Sequence, residues 1–230
     1  MAENGKPGAE PGRGGPMHPI LEQIGQNRLI VIVRGLAPGS MRGLAEALHA
    51  GGIRMIEVTF DQAHPENWPG TCEAIKLLAT DFAGRITPGA GTVLTEEQVE
   101  MAHDAGARYI ISPNIDLDVI DKTRALGMAS LPGAMTPTEI VQAYAEGADA
   151  VKIFPIGSLG PAYLKAVRAP LPHIPLMAVG GVNETNAAEY LAAGAMGLGV
   201  GGGMVNRAWI EAGEWDRITA LAKAFVAAAQ

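Results

Sequence analysis

The chain has 230 residues, 48% apolar and 18% charged, and its 17 basic and 24 acidic residues give a net charge of −7. This apolar content can fill a sizeable core and excludes a disordered chain, and the acidic balance argues against a nucleic-acid partner. The one cysteine, Cys72, rules out an intrachain disulfide, no apolar run reaches the ~18 residues of a membrane span, and no signal-peptide core opens the chain, so a cytoplasmic protein with no membrane partner is expected.

Residues 1–18 read as a flexible Gly/Pro-rich tail. Eight of the first 16 residues are Gly or Pro, too little apolar surface to offset the entropy of ordering. A single domain, 19–230, is expected to follow. Short apolar runs read as buried strands at 29–33, 55–59, 110–112, 150–154, 176–179 and 197–200, with weaker runs at 85–90 and 128–131. Helical stretches lie at 40–50, 67–79, 95–105, 117–126, 136–146, 161–168, 184–193 and 215–229. Thr95 and Thr136 stand three residues before Gln98 and Glu139, the spacing of a capping box, and Pro137 suits a first helical position. Glycines at 51, 106, 127, 147 and 194 follow helical stretches, where a left-handed residue ends the helix. Eight strands, each with a following helix, predict an α/β protein with the (β/α)8 TIM-barrel fold. A doubly wound sheet is the alternative. Against it, the first strand runs into Arg34-Gly35-Leu36-Ala37-Pro38-Gly39, without the glycine spacing of a dinucleotide site.

Barrel enzymes draw their chemistry from the C-terminal ends of the strands. Those ends hold Arg34, Glu57, Thr59, Thr92, Ser112, Asn114 and Lys152, with Asp61 just beyond the second strand. The last two strands end in Gly180-Gly181 and Gly201-Gly202-Gly203. Lys152 lies in Ala150-Val151-Lys152-Ile153-Phe154-Pro155. A lysine in an apolar strand is costly while charged, and desolvation frees its amine to attack a carbonyl and form a Schiff base. A structural lysine paired with a carboxylate is the other reading. Glu57 is a carboxylate in a similar strand, suited to moving protons or to pairing with that lysine. The glycine clusters offer backbone N–H groups to a phosphate, or only permit tight turns. The five histidines are scattered without a metal-ligand spacing, so no metal site is expected. Cys72 reads as a core or surface thiol.

Several segments, taken together and in order, carry a resemblance. They are Val31-Ile32-Val33-Arg34-Gly35, Ala50-Gly51-Gly52, Ile56-Glu57-Val58-Thr59 and Gly89-Ala90-Gly91-Thr92-Val93-Leu94, then Ile111-Ser112-Pro113-Asn114, Lys152-Ile153-Phe154-Pro155 and Ala178-Val179-Gly180-Gly181-Val182. From about Ile20 onward the chain resembles the class I 2-keto-3-deoxy-6-phosphogluconate (KDPG) and 4-hydroxy-2-oxoglutarate (KHG) aldolase family. It looks closer in places to the 2-keto-3-deoxy-6-phosphogalactonate branch. The resemblance implies a homotrimer of barrels with no metal and no cofactor, acting on a small-molecule 2-keto acid. It implies an imine on Lys152, acid/base work by Glu57, and contact between Thr92 and the pyruvate portion. It also implies phosphate binding at Gly180 and Gly181, with Gly201 and Gly202 beside them. Asp61 stands where many members carry a carboxylate-binding arginine. That role is assigned to Arg34, in an I-x-R-G motif, because a guanidinium suits a planar carboxylate. Two other readings stand beside this one: a sugar-phosphate isomerase or epimerase on the same barrel, and a non-catalytic barrel subunit.

Overall fold

A computed structural model of the chain describes residues 17–36 and 38–230. Of the expected tail, 1–16 lie outside the described residues. His18 stands just before the first helix as its N-cap. That helix, α1 (Pro19–Asn27), has no counterpart in the sequence reading. Pro19 opens it, His18 Nδ1 accepts from the Ile20 N–H at 3.3 Å, and Arg28 closes it at φ 63°.

Among the described residues nine parallel strands follow: β1 (Leu29–Val33), β2 (Met55–Thr59), β3 (Thr87–Gly91), β4 (Tyr109–Ile111), β5 (Ala129–Leu131), β6 (Gly133–Ala134), β7 (Val151–Ile153), β8 (Leu176–Val179) and β9 (Gly197–Val200). Their order is β5-β4-β3-β2-β1-β9-β8-β7-β6. The two edge strands, β5 and β6, are separated in the chain only by Pro132. They are one barrel position broken by a residue that cannot donate to a ladder. The Pro132 carbonyl still accepts from the Lys152 N–H at 2.9 Å, so the sheet closes on itself. The result is the expected (β/α)8 barrel with its fifth strand in two pieces. The strand expected at 85–90 lies at Thr87–Gly91, and the one expected at 150–154 is trimmed to Val151–Ile153.

The outer helices are α2 (Met41–Ala50), α3 (Trp68–Asp81), α4 (Glu96–Ala105), α5 (Leu117–Ala125), α6 (Pro137–Ala145), α7 (Gly160–Arg168), α8 (Ala187–Ala192), α9 (Arg207–Glu211) and α10 (Trp215–Ala228). The Thr136–Glu139 capping box forms in full: Thr136 Oγ1 accepts from the Glu139 N–H at 3.3 Å, and the Glu139 carboxylate accepts from the Thr136 N–H at 2.8 Å. At α4 only half of it forms. Thr95 accepts from the Gln98 N–H, but the Gln98 side chain accepts from the Leu94 N–H instead. After α2 the left-handed residue is Gly52, at φ 99°, rather than Gly51. The helix expected from 184 begins only at Ala187. The Asn183 side chain accepts from the Thr185 and Asn186 N–H groups, and this local turn replaces the first helical turn.

Helix α1 plugs the N-terminal end of the barrel. Its Ile20, Leu21 and Ile24 are buried against Ile30, Met55, Tyr109, Ala129, Leu131, Ala150 and Met177, the inward residues of the strands. The approach is close: a Cβ at Gly197 would lie 2.5 Å from Ile24 Cγ2. Ile24→Ala is therefore expected to cost about 2–5 kcal/mol of stability. The urea unfolding midpoint checks this, and an unchanged midpoint would mean that α1 does not hold the barrel end.

Candidate active site

At the opposite end of the barrel a cavity of about 650 Å³ opens among the C-terminal ends of β1, β2, β7, β8 and β9. Glu57 reaches it from β2 and Lys152 from β7. Arg34 follows β1 directly, and its exposed side chain lines the mouth. Gly180, Gly181, Gly201 and Gly202 line the cavity as well.

Small residues on β3 make room for the carboxylate. Gly89 and Gly91 pair in register with Glu57 and Thr59. A Cβ at Gly91 would lie 1.6 Å from Glu57 Oε1, and one at Gly89 would lie 2.1 Å from the Tyr109 ring. The inward face of this strand is therefore bare, and the Glu57 carboxyl and the Tyr109 ring fill it. Glu57 is 2% exposed, and its Oε2 has no hydrogen-bond partner among the described residues. Burial pushes the Glu57 carboxyl above the usual carboxylate range, with Lys152 and then Arg34 pulling the other way. Lys152 is 6% exposed, and its Nζ sits 4.5 Å from the centroid of the Phe154 ring. Burial pushes its ammonium below the usual lysine range; Glu57 opposes this and Arg34 adds to it. Both shifts favour the uncharged forms.

Gly180 and Gly181 both need a left-handed backbone, at φ 90° and 85°. The Gly180 carbonyl accepts from the Gly157 N–H at 2.8 Å, and the Gly181 carbonyl accepts from Asn186 Nδ2 at 3.0 Å. Nothing lies within 4 Å of where a Cβ would stand on Gly202 or Gly203, so this stretch faces open space.

Not every expected residue joins the group. Thr92 is half-buried, at φ 54°, and is not among the residues lining the cavity. Asp61 stays in a local turn, where it accepts from the Ala63 N–H at 3.0 Å. Ser112 is buried and donates to the Val93 carbonyl at 2.7 Å, which is a structural role. The structure adds Phe154, Val179, Asn183 and Arg207 to the lining. Phe154 and Val179 lie on strand segments already picked out by their apolar runs. Arg207 carries no comparable signal, because it opens a short helix that the periodicity does not show. Among the described residues no group of three or more His, Cys, Asp or Glu is placed to hold a metal ion. No helix among them is long and apolar enough to cross a membrane.

The family model described as KDPG and KHG aldolase matches residues 20–221. A probable 2-dehydro-3-deoxy-6-phosphogalactonate aldolase of Rhizobium meliloti is 41% identical over 174 residues, covering 75% of this chain and 79% of that one. The 2-dehydro-3-deoxy-6-phosphogalactonate aldolase of Escherichia coli is 40% identical over 176 residues, covering 75% and 82%. Among solved structures, KDPG aldolase from Legionella pneumophila, with pyruvate captured as a covalent carbinolamine, superposes with a TM-score of 0.78 at 30% identity, covering 86% of this chain and 94% of that one. A match over most of the barrel, with relatives at this level of identity, settles the lineage: this chain belongs to the KDPG and KHG aldolase family and is a class I aldolase, a carbon–carbon lyase.

Proposed function

We propose that the chain cleaves a 2-keto-3-deoxy-6-phospho sugar acid, by preference the galactonate epimer, to pyruvate and glyceraldehyde 3-phosphate through an imine on Lys152. The observation that carries this reading is the burial of Lys152 and Glu57 together at one cavity, each biased toward its uncharged form. The preference for the galactonate epimer rests on the two phosphogalactonate aldolases among the relatives and on Arg34.

In this mechanism Arg34 holds the substrate carboxylate. The neutral Lys152 amine attacks C2, and the carbinolamine loses water to give an imine. The protonated imine takes up the electron pair as the C3–C4 bond breaks. Glu57, left as a carboxylate once its proton has gone to the departing water, removes the C4 hydroxyl proton, and the aldehyde leaves. The enamine left behind takes a proton back at C3. Water then hydrolyses the imine, releasing pyruvate and freeing Lys152. Gly180, Gly181, Gly201 and Gly202 offer backbone N–H groups to the phosphate, while the contact between Thr92 and the pyruvate portion rests on the family likeness alone. The same family likeness supports a homotrimer working in the cytoplasm.

Borohydride reduction in the presence of pyruvate tests the reading. A reduced pyruvate adduct is expected on the peptide carrying Lys152. The pH dependence has a definite sign. The free amine must attack, and Lys152 lies below its ordinary value of 10.5. The trapping rate should therefore rise with pH and level off below the usual lysine range. Failure to form any adduct would remove the imine mechanism.

A further inference from the structure

We propose that Arg207 is the charged ligand for the phosphate end of the substrate. This rests on the aldolase reading above and assigns a residue that the reading leaves unused. Four charged residues line the cavity among the described residues: Arg34, Glu57, Lys152 and Arg207. Three have work in the cleavage itself. Lys152 must be neutral to attack, and Arg34 is matched by one carboxylate. A phosphate monoester brings a further charge of about −1.5 to −2 at neutral pH. Arg207 is the remaining cation.

Its mounting suits that role. Arg207 follows the run Gly201-Gly202-Gly203, which lines the same cavity and leaves open space beside it. Arg207 Nη2 donates to the Gly35 carbonyl at 2.9 Å. Gly35 is at φ 57°, and a Cβ there would lie 2.8 Å from Nη2. The absence of a side chain at Gly35 thus seats the guanidinium over the end of β1. One of its five N–H donors is spent on this anchor, leaving the others for a ligand. A guanidinium fixed at one edge keeps the geometry for two parallel hydrogen bonds to phosphate oxygens. The glycine run carries no hydroxyl, so Arg207 complements the backbone N–H groups in holding the anion.

The test compares kcat/KM for the phosphorylated substrate with kcat/KM for the same sugar acid lacking phosphate. In Arg207→Gln the ratio should fall about 10- to 100-fold, the scale of one charge-assisted hydrogen bond. The loss should sit in KM rather than kcat, and Arg207→Lys should recover part of it. An unchanged ratio would overturn the assignment. So would an equal loss for both substrates, which would place Arg207 on the carboxylate. A second measurement does not depend on turnover. Inorganic phosphate, added at constant ionic strength, should raise the melting temperature of the unaltered protein and raise that of Arg207→Lys less. Equal shifts in the two proteins would count against the role. If the unaltered protein forms no pyruvate adduct, the aldolase reading fails, and the phosphate titration still decides on Arg207.

Discussion

Lys152→Met is expected to lower aldol cleavage by roughly 10⁴-fold or more, the scale seen when a covalent nucleophile is removed. The borohydride adduct with pyruvate should vanish with it. The fold should survive. Lys152 is 6% exposed among Val151, Ile153 and Phe154, and methionine keeps an unbranched stem of similar length without an amine to desolvate. The melting temperature should therefore stay level or rise. This combination separates the two readings of a buried lysine. A structural lysine paired with Glu57 would leave a buried carboxylate uncompensated on substitution and lower stability by several kcal/mol. A variant that turns over normally, or one that unfolds while still forming the adduct elsewhere, would sink the assignment.

Glu57→Gln is expected to lower cleavage by about 10²- to 10⁴-fold, the usual contribution of a positioned acid/base. The amide fits the space that Gly91 leaves bare, so the barrel should not distort. Lys152 still carries its amine, so the pyruvate adduct should still form. The discriminating readout is exchange of the pyruvate methyl protons in heavy water, followed by NMR. Exchange requires a proton to be removed and returned at C3, so it should slow with cleavage. Normal exchange together with slow cleavage would confine Glu57 to the C4 hydroxyl step. Normal exchange and normal cleavage would remove Glu57 from the mechanism.

Stability provides an independent check on the same residue. Burial raises the Glu57 carboxyl above its ordinary value of 4.5. The folded chain therefore keeps this proton over a window in which the unfolded chain has released it. By linkage, Glu57 costs stability progressively as pH rises from that ordinary value to the folded value. Glutamine has no such window. The stability of Glu57→Gln relative to the parent should rise with pH across it and then level off, as read from urea midpoints at several pH values.

The elements legible in the sequence are those whose signals are local. Apolar runs at 29–33, 55–59, 176–179 and 197–200 match their strands at both ends. The capping residues Thr95 and Thr136 bond only to groups within the same turn, so their spacing in the chain is enough. Lys152 and Glu57 stood out for a local reason too: a charge inside an apolar strand demands an explanation wherever that strand ends up. The I-x-R-G motif pointed to Arg34 in the same way.

What tertiary structure decided is what depends on distance across the barrel. The fifth strand position is in two pieces because Pro132 interrupts it, and closure shows only once β5 and β6 are known to be the two edges of one sheet. Helix α1 is held by its buried face in the barrel end, a contact that the strand–helix alternation does not encode. The inward face of β3 is bare because the Glu57 carboxyl and the Tyr109 ring need the room, a relation set by register between three strands. Thr92 belongs to a motif legible in the chain, yet the backbone turns to φ 54° there and the residue does not line the cavity. Arg207 enters the cavity only because the last βα loop folds back over Gly35, 172 positions away in the chain. The alternating elements and the charged residues at strand ends are written in the chain itself. Only the closed barrel decided which of those ends meet, because convergence on one cavity is a property of the sheet's curvature and register and of no single segment.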